Sequence, residues 1–213
     1  MSNKTGFIFD MDGTIVPSEK LKAESHMELI SSFNRTVNIE FYDNCIGKPF
    51  HEVVDLFTKE ADLDIPFEDY KRLFDEIYSS KIVTIKEPVK GFKAFLNSLK
   101  QENILTGLVT SSDRWMVDTI FQNIKTEGLF DVIISKENVT EEKPSPEPYL
   151  KAKEQLGVSR IIVFEDTTAG FLSASGVTDE IFAIKHEYNS KQDFSLAKRI
   201  FEDYCAIKFS DLI

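Results

Sequence analysis

The stretch Phe7-Ile8-Phe9-Asp10-Met11-Asp12-Gly13-Thr14 decides the fold. Three bulky apolar residues run into a pair of carboxylates. A short apolar run closed by turn residues reads as a buried strand of a parallel sheet. Residues two apart in an extended chain point the same way, so Asp10 and Asp12 leave the carboxyl end of that strand on one side. Two carboxylates side by side repel, and one is driven neutral unless a cation offsets them. A hard divalent ion such as Mg²⁺ suits oxygen ligands of this kind. Gly13 permits a sharp turn or a close approach of backbone to a bound group. The carboxyl ends of the strands are where open α/β sheets place their sites.

Outward from this stretch the chain changes grammar twice. Pro17 directs Val16 to an extended conformation, and Ser18 is a candidate N-cap. Helical spacing follows over residues 19–33 (Leu21, Met27, Leu29, Ile30, Phe33), 51–61 and 67–80, with a turn at Gly47-Lys48-Pro49. No strand pattern interrupts this region. Glu87-Pro88-Val89-Lys90-Gly91 is a boundary. Beyond it helices (92–100, 115–123, 146–156, 168–175) alternate with apolar strands (104–109, 132–134, 161–164, 181–184). Strand–helix alternation implies a parallel sheet. The expected architecture is a doubly wound α/β core formed by residues 1–16 and 86–213, with an all-helical domain, 17–85, inserted after the first strand.

Composition narrows the partners. The chain has 213 residues, 42% hydrophobic and 29% charged, with a formal net charge of -11. An acidic surface repels nucleic acid and anionic membranes, so neither is expected as a partner. An anionic substrate then needs a local positive site, which a metal and one or two lysines would supply. Cys45 and Cys205 are far apart and form neither a disulfide framework nor a zinc motif. No apolar run reaches signal-peptide or membrane-spanning length, and the expected location is cytoplasmic. A monomer is the default expectation. The 18 phenylalanines read as core filling.

The opening stretch resembles the first motif, D-x-D-G-T/V, of the haloacid dehalogenase superfamily of phosphotransferases, and three later stretches extend the likeness over nearly the whole chain. Thr110 ends the strand Leu108-Val109, as in the second motif; its alternative role is an N-cap for the next helix. Lys143-Pro144-Ser145-Pro146-Glu147-Pro148 matches the third, K-P-x-P-x-P, whose prolines stiffen the loop carrying the lysine. Glu165-Asp166 ends an apolar strand, as in the fourth. The run Phe164 to Gly170 followed by Ala174-Ser175-Gly176 resembles the β-phosphoglucomutase-like and phosphoglycolate phosphatase-like members with a helical cap. The resemblance implies that Asp10 is the nucleophile and Asp12 the general acid/base, with its carbonyl on Mg²⁺. It implies that Thr110 and the amide of Ser111 hold phosphoryl oxygens and that Lys143 offsets their charge. Asp166 would bind Mg²⁺ directly, and Glu165 directly or through water. The implied activity is hydrolysis of a small phosphate monoester, a sugar phosphate or similar metabolite, through an aspartyl phosphate.

Two departures bear on the alternative activity, a phosphomutase. Where the mutases carry an acidic or threonine residue and then a histidine after the first motif, this chain has Pro17 and Lys22; where they carry an arginine shortly after the loop glycine, Gly47 is followed by Phe50. Both departures favour a phosphatase. A non-catalytic binding module on this fold would have lost Asp10, Lys143 or Asp166, and all three are present. The cap chooses the substrate, with Gly47, Lys48, Lys22 and Lys81 as candidate contacts; each lysine is otherwise a solvated surface charge. His51 reads as surface, and His26 and His186 carry no motif.

Overall fold

In the computed structural model, which describes residues 4–212, six strands form one parallel sheet. They are β1 (Thr5–Phe9), β2 (Leu105–Val109), β3 (Val132–Ile134), β4 (Arg160–Glu165), β5 (Ile181–Ile184) and β6 (Arg199–Phe201), in the spatial order β3-β2-β1-β4-β5-β6. The chain steps outward from β1 through β2 to β3. It then crosses back to β4 and steps outward the other way. The crevice between β1 and β4 is therefore the point where strand order reverses, and it opens at the strands' carboxyl ends.

The helices α4 (Phe92–Gln101), α5 (Arg114–Ile124), α6 (Glu147–Leu156) and α7 (Thr168–Ser175) connect these strands. Alternation in β1 assigns its side chains to two layers. Phe7 and Phe9 face a cluster that includes Phe92, Phe95 and Tyr204, while Ile8 faces Tyr149, Leu156 and Phe171 on the other side. Phe9 stacks on Phe164 of β4 at 5.4 Å and meets Phe92 edge-on at 5.4 Å. Aromatic pairs in these two geometries add about 0.5–1.5 kcal/mol each beyond burial. The phenylalanines thus fix the two strands whose ends carry the opening acidic stretches.

Between β1 and β2 lie α1 (Glu19–Ser32), a 3₁₀ segment (Ile39–Asn44), α2 (Phe50–Glu60) and α3 (Phe67–Ile82). In α3, Tyr70, Phe74, Tyr78 and Ile82 recur every fourth position and are all buried. That stripe packs on α1, which buries Ala23, His26, Leu29 and Ile30. Among the described residues no helix is long and apolar enough to cross a membrane.

Element ends differ from expectation by one or two residues, and three features were not expected. Strand β6 is only three residues long and begins with an exposed arginine, too short for an apolar period. The 3₁₀ segment is capped by Asn38, whose side chain accepts from the Glu40 amide. Ser18 stands at the N-cap position of α1 without making the cap bond, and Phe33, expected on its apolar face, is the exposed C-cap residue.

Candidate active site

The pairing of β1 with β4 places Phe9 opposite Phe164, so Asp10 and Glu165 leave the sheet side by side. The Asp10 amide continues the ladder, donating to the Phe164 carbonyl at 2.9 Å. Lys143, just before α6, closes this end of the sheet. Its ammonium donates to Asp10 Oδ1 at 2.6 Å, Glu165 Oε1 at 2.6 Å and the Val109 carbonyl at 3.1 Å. Three protons thus reach the ends of β1, β4 and β2. The Tyr149 ring lies 5.2 Å from the same nitrogen, and its hydroxyl donates to Glu165 Oε1 at 2.7 Å. Burial would lower the Lys143 pKa, but Asp10 and Glu165 raise it instead, so the lysine stays charged.

Asp10, Glu165 and Asp166 bring one carboxylate oxygen each within 4.8 Å of one another, all buried. Burial pushes Asp10 well above the usual carboxylate range; Lys143 opposes this, and Glu165, Asp166 and Asp12 add to it. Asp166 is raised for the same reasons, burial first and Glu165 next. Three buried carboxylates around one ammonium are short of positive charge. An all-oxygen donor set of this kind fits a hard divalent cation. Asp166 is further oriented by His186, whose Nδ1 accepts from the Tyr188 amide at 3.3 Å. The proton is then on Nε2, which donates to Asp166 Oδ2 at 3.0 Å. Two glycines make room. A Cβ on Gly13 (φ 77°) would overlap the Asp166 carboxylate, and one on Gly170 would overlap that of Glu165.

Asp12 faces away from this cluster. Its Oδ2 accepts from Ser112 Oγ at 2.6 Å; its Oδ1 accepts from Ser18 Oγ and from Lys22 Nζ at 3.1 Å. Burial would raise its pKa, but Lys22, Ser112 and Ser18 together hold it below the usual range. Ser18 withholds its hydroxyl from the helix cap in order to bind Asp12. Lys22 also meets Glu19 at 3.1 Å, and Glu19 accepts from Tyr42 at 2.8 Å. The acidic stretch of the core is therefore tied to α1 by a chain of buried polar contacts.

Above these groups lies a pocket of about 140 Å³. Asp10, Asp12, Thr110, Ser111, Lys143 and Asp166 line its floor, and the helical segment lines its roof. The Thr110 hydroxyl oxygen accepts from the Ser112 amide at 3.1 Å, which leaves its proton free for the pocket. Helix α5 begins four residues after Thr110, so the threonine is not its N-cap. Gly47 and Lys48 line the roof, where Gly47 (φ 81°) sits against Thr167. Lys22 lines the pocket as well. Lys81 does not; it pairs with Glu28 at 2.8 Å outside it. His51 is exposed on α2.

Several pocket residues carried no sequence signal. His26 is buried between Phe57 and Phe74, each 4.5 Å away, with Nδ1 2.8 Å from the Tyr70 hydroxyl. Burial first, and then Lys22, pushes its pKa down to about 3, so the ring is neutral. Lys71 of α3 lies between Asp75 at 2.6 Å and Asp113 at 2.8 Å. The helical spacing of α3 reveals which of its faces is buried but not which distant carboxylate meets Lys71.

Residues 7–183 match the model of the haloacid dehalogenase-like hydrolases. The chain belongs to this family. Within it, the chain is 25% identical over 185 residues to a phosphorylated carbohydrates phosphatase of Thermotoga maritima, covering 85% of this chain and 86% of that protein. It is 29% identical over 176 residues to validoxylamine A 7'-phosphate phosphatase of Streptomyces hygroscopicus subsp. limoneus, covering 78% and 79%. Its fold is similar to that of CbbY from Rhodobacter sphaeroides in complex with phosphate, with a TM-score of 0.84 at 21% identity over 94% and 95% of the two chains. The likeness of fold and the family match agree with the haloacid dehalogenase resemblance of the four motifs.

Proposed function

We propose that the protein is a Mg²⁺-dependent phosphatase of small phosphate monoesters, sugar phosphates or similar metabolites, working through an aspartyl phosphate on Asp10, with residues 17–85 as a cap over a core of 1–16 and 86–213. The observation that carries the reading is the placement of Asp10 at the pocket floor, with Oδ1 held by Lys143 and Oδ2 left without a protein partner among the described residues. The phosphatase names borne by the relatives support it.

Asp10 Oδ2 attacks phosphorus as the ester P–O bond breaks. Asp12, a carboxylate in the free site, must take up a proton as the ester binds, and it gives that proton to the leaving oxygen. The contacts from Lys22, Ser112 and Ser18 stabilise the carboxylate that results. Water then attacks phosphorus, loses its proton to Asp12 and releases inorganic phosphate as the bond to Asp10 breaks. The Thr110 hydroxyl, the Ser111 amide and the Lys143 ammonium hold the phosphoryl oxygens and offset their charge. Asp10, Asp166 and Glu165, with the Asp12 carbonyl, would hold Mg²⁺, which when bound supplies further positive charge to those oxygens.

The test is phosphate release from a panel of hexose, pentose, glycerol and nucleoside monophosphates and phosphoglycolate, with Mg²⁺. Turnover of one class that disappears in Asp10→Asn and on chelation is expected. Turnover that survives Asp10→Asn would overturn the nucleophile.

A further inference from the structure

The roof of the pocket is charge-balanced. Five lysines line the cavity (Lys22, Lys48, Lys71, Lys136 and Lys143), and each already has a carboxylate within 4 Å. No arginine lines it among the described residues. Lys71 lies 6.0 Å from the centroid of the Phe50 ring and, like Lys22 and Lys143 nearer the floor, is bracketed by two carboxylates.

That bracket is built at a local cost. Asp113 occupies the N-cap position of α5, where aspartate ordinarily binds a helix amide, yet it makes no cap bond. Glu137 takes over part of that duty by accepting from the Arg114 amide at 2.8 Å. The Asp113 carboxylate is thereby released to reach Lys71 on α3, 42 residues away. Two further polar atoms in the roof are unspent. The hydroxyl of Tyr78, a residue with no exposed surface, and Asp75 Oδ1 have no hydrogen-bond partner among the described residues, and both side chains line the pocket. Phe50 and Phe74 add aromatic faces beside them, their rings 5.0 Å apart. Hydroxyl donors and carboxylate acceptors beside aromatic faces suit a body that carries both C–H faces and hydroxyls.

We propose that Lys71, Asp75 and Asp113 make the roof selective for a neutral, hydroxyl-bearing body carrying a single phosphate, and set it against esters with a second phosphate. A second phosphate reaching this wall meets one ammonium and two carboxylates, so like charges are brought together. A neutral polyol meets donors and acceptors without a charge mismatch. The proposal rests on the phosphatase reading and deepens it. It also separates the protein from a phosphomutase, whose reaction must pass through a bound bisphosphate.

The experiment compares kcat/KM for a hexitol monophosphate and the corresponding bisphosphate, with p-nitrophenyl phosphate as the probe of hydrolysis itself. The wild-type protein should prefer the monophosphate by roughly tenfold or more. In Asp113→Asn, and separately in Asp75→Asn, the bisphosphate-to-monophosphate ratio should rise about tenfold, mostly through KM for the bisphosphate. The two variants lie on different elements, and the wild-type ratio needs no variant, so a folding defect in either leaves the proposal exposed. A wild-type protein that turns over the bisphosphate as well as the monophosphate, or a ratio unmoved in both variants, overturns it. Failure to hydrolyse any ester, p-nitrophenyl phosphate included, would instead count against the phosphatase reading on which it rests.

Discussion

The floor and the roof of the pocket are made by different means. The floor is backbone geometry: β1, β2 and β4 end at one level, and Lys143 ties their ends together with three hydrogen bonds. The roof is side-chain pairing on helices, of which Lys71 with Asp75 and Asp113 is the example that crosses from α3 to the start of α5. A floor built this way tolerates little change, because every member shares a partner with another. A roof of small side-chain clusters can be altered one cluster at a time.

The sharpest way to break the comparison is at the floor. On the proposed mechanism Asp10→Asn should lower kcat by on the order of a thousandfold or more, since a nucleophile and the groups around it act as a unit. Single substitutions in the roof that lowered kcat equally would erase the distinction. Lys143→Met should cost about 3–5 kcal/mol of stability, because Asp10 and Glu165 are then left buried without their cation. Chemical denaturation measures this directly, and a cost near zero would mean that the carboxylates find other partners.

The two regions should also answer pH in opposite senses. Asp10 and Asp166 have folded pKa values raised above 3.8, so in chelator-treated protein their contribution to stability is full below pH 3.8 and is lost as pH rises towards their folded values. His26 is depressed from 6.5 to about 3. Its contribution is full above pH 6.5 and is lost as pH falls through that window, at about 1.4 kcal/mol per unit. The difference in unfolding free energy between wild type and His26→Gln, measured between pH 7 and pH 5, should shrink as pH falls; a constant difference would place the imidazolium in the folded protein. At the small end, Arg72→Ala should change stability by less than about 0.5 kcal/mol, because its pairs with Asp69 and Glu76 are exposed.

Much of the floor could be read from residues 7–14 and 161–166, because an apolar run that stops at carboxylates states both the strand and where it ends. Lys143 was readable through the resemblance of its proline-spaced stretch to the third motif. The roof was not. Ser18 looks like a helix cap and Asp113 stands where one belongs, and each instead sends its side chain to a partner that local pattern cannot name. His26 falls on no motif and owes its neutrality to aromatic rings from two other helices. His186 and Asn189 were missed for a related reason. They cap and close a three-residue 3₁₀ turn after β5, too short to leave a periodic pattern, yet His186 meets the Asp166 carboxylate and Asn189 donates to the Asp166 carbonyl. Strand β6 was lost to its brevity.

The central place of β1 has a consequence for how the protein comes into being. The first of the six strands in chain order lies in the middle of the sheet, and one of its two neighbours, β4, is made only after α1 to α6. Asp10 meets Lys143, 133 positions further along the chain. Closing so long a loop must precede the contacts that reward it, which makes assembly of this end of the sheet slow compared with the local pairing of α1 and α3. During synthesis the helical segment can therefore order while β1 still waits for its partner. Activity would then arrive all at once and late, and a chain stopped short of β4 would possess a roof with nothing beneath it.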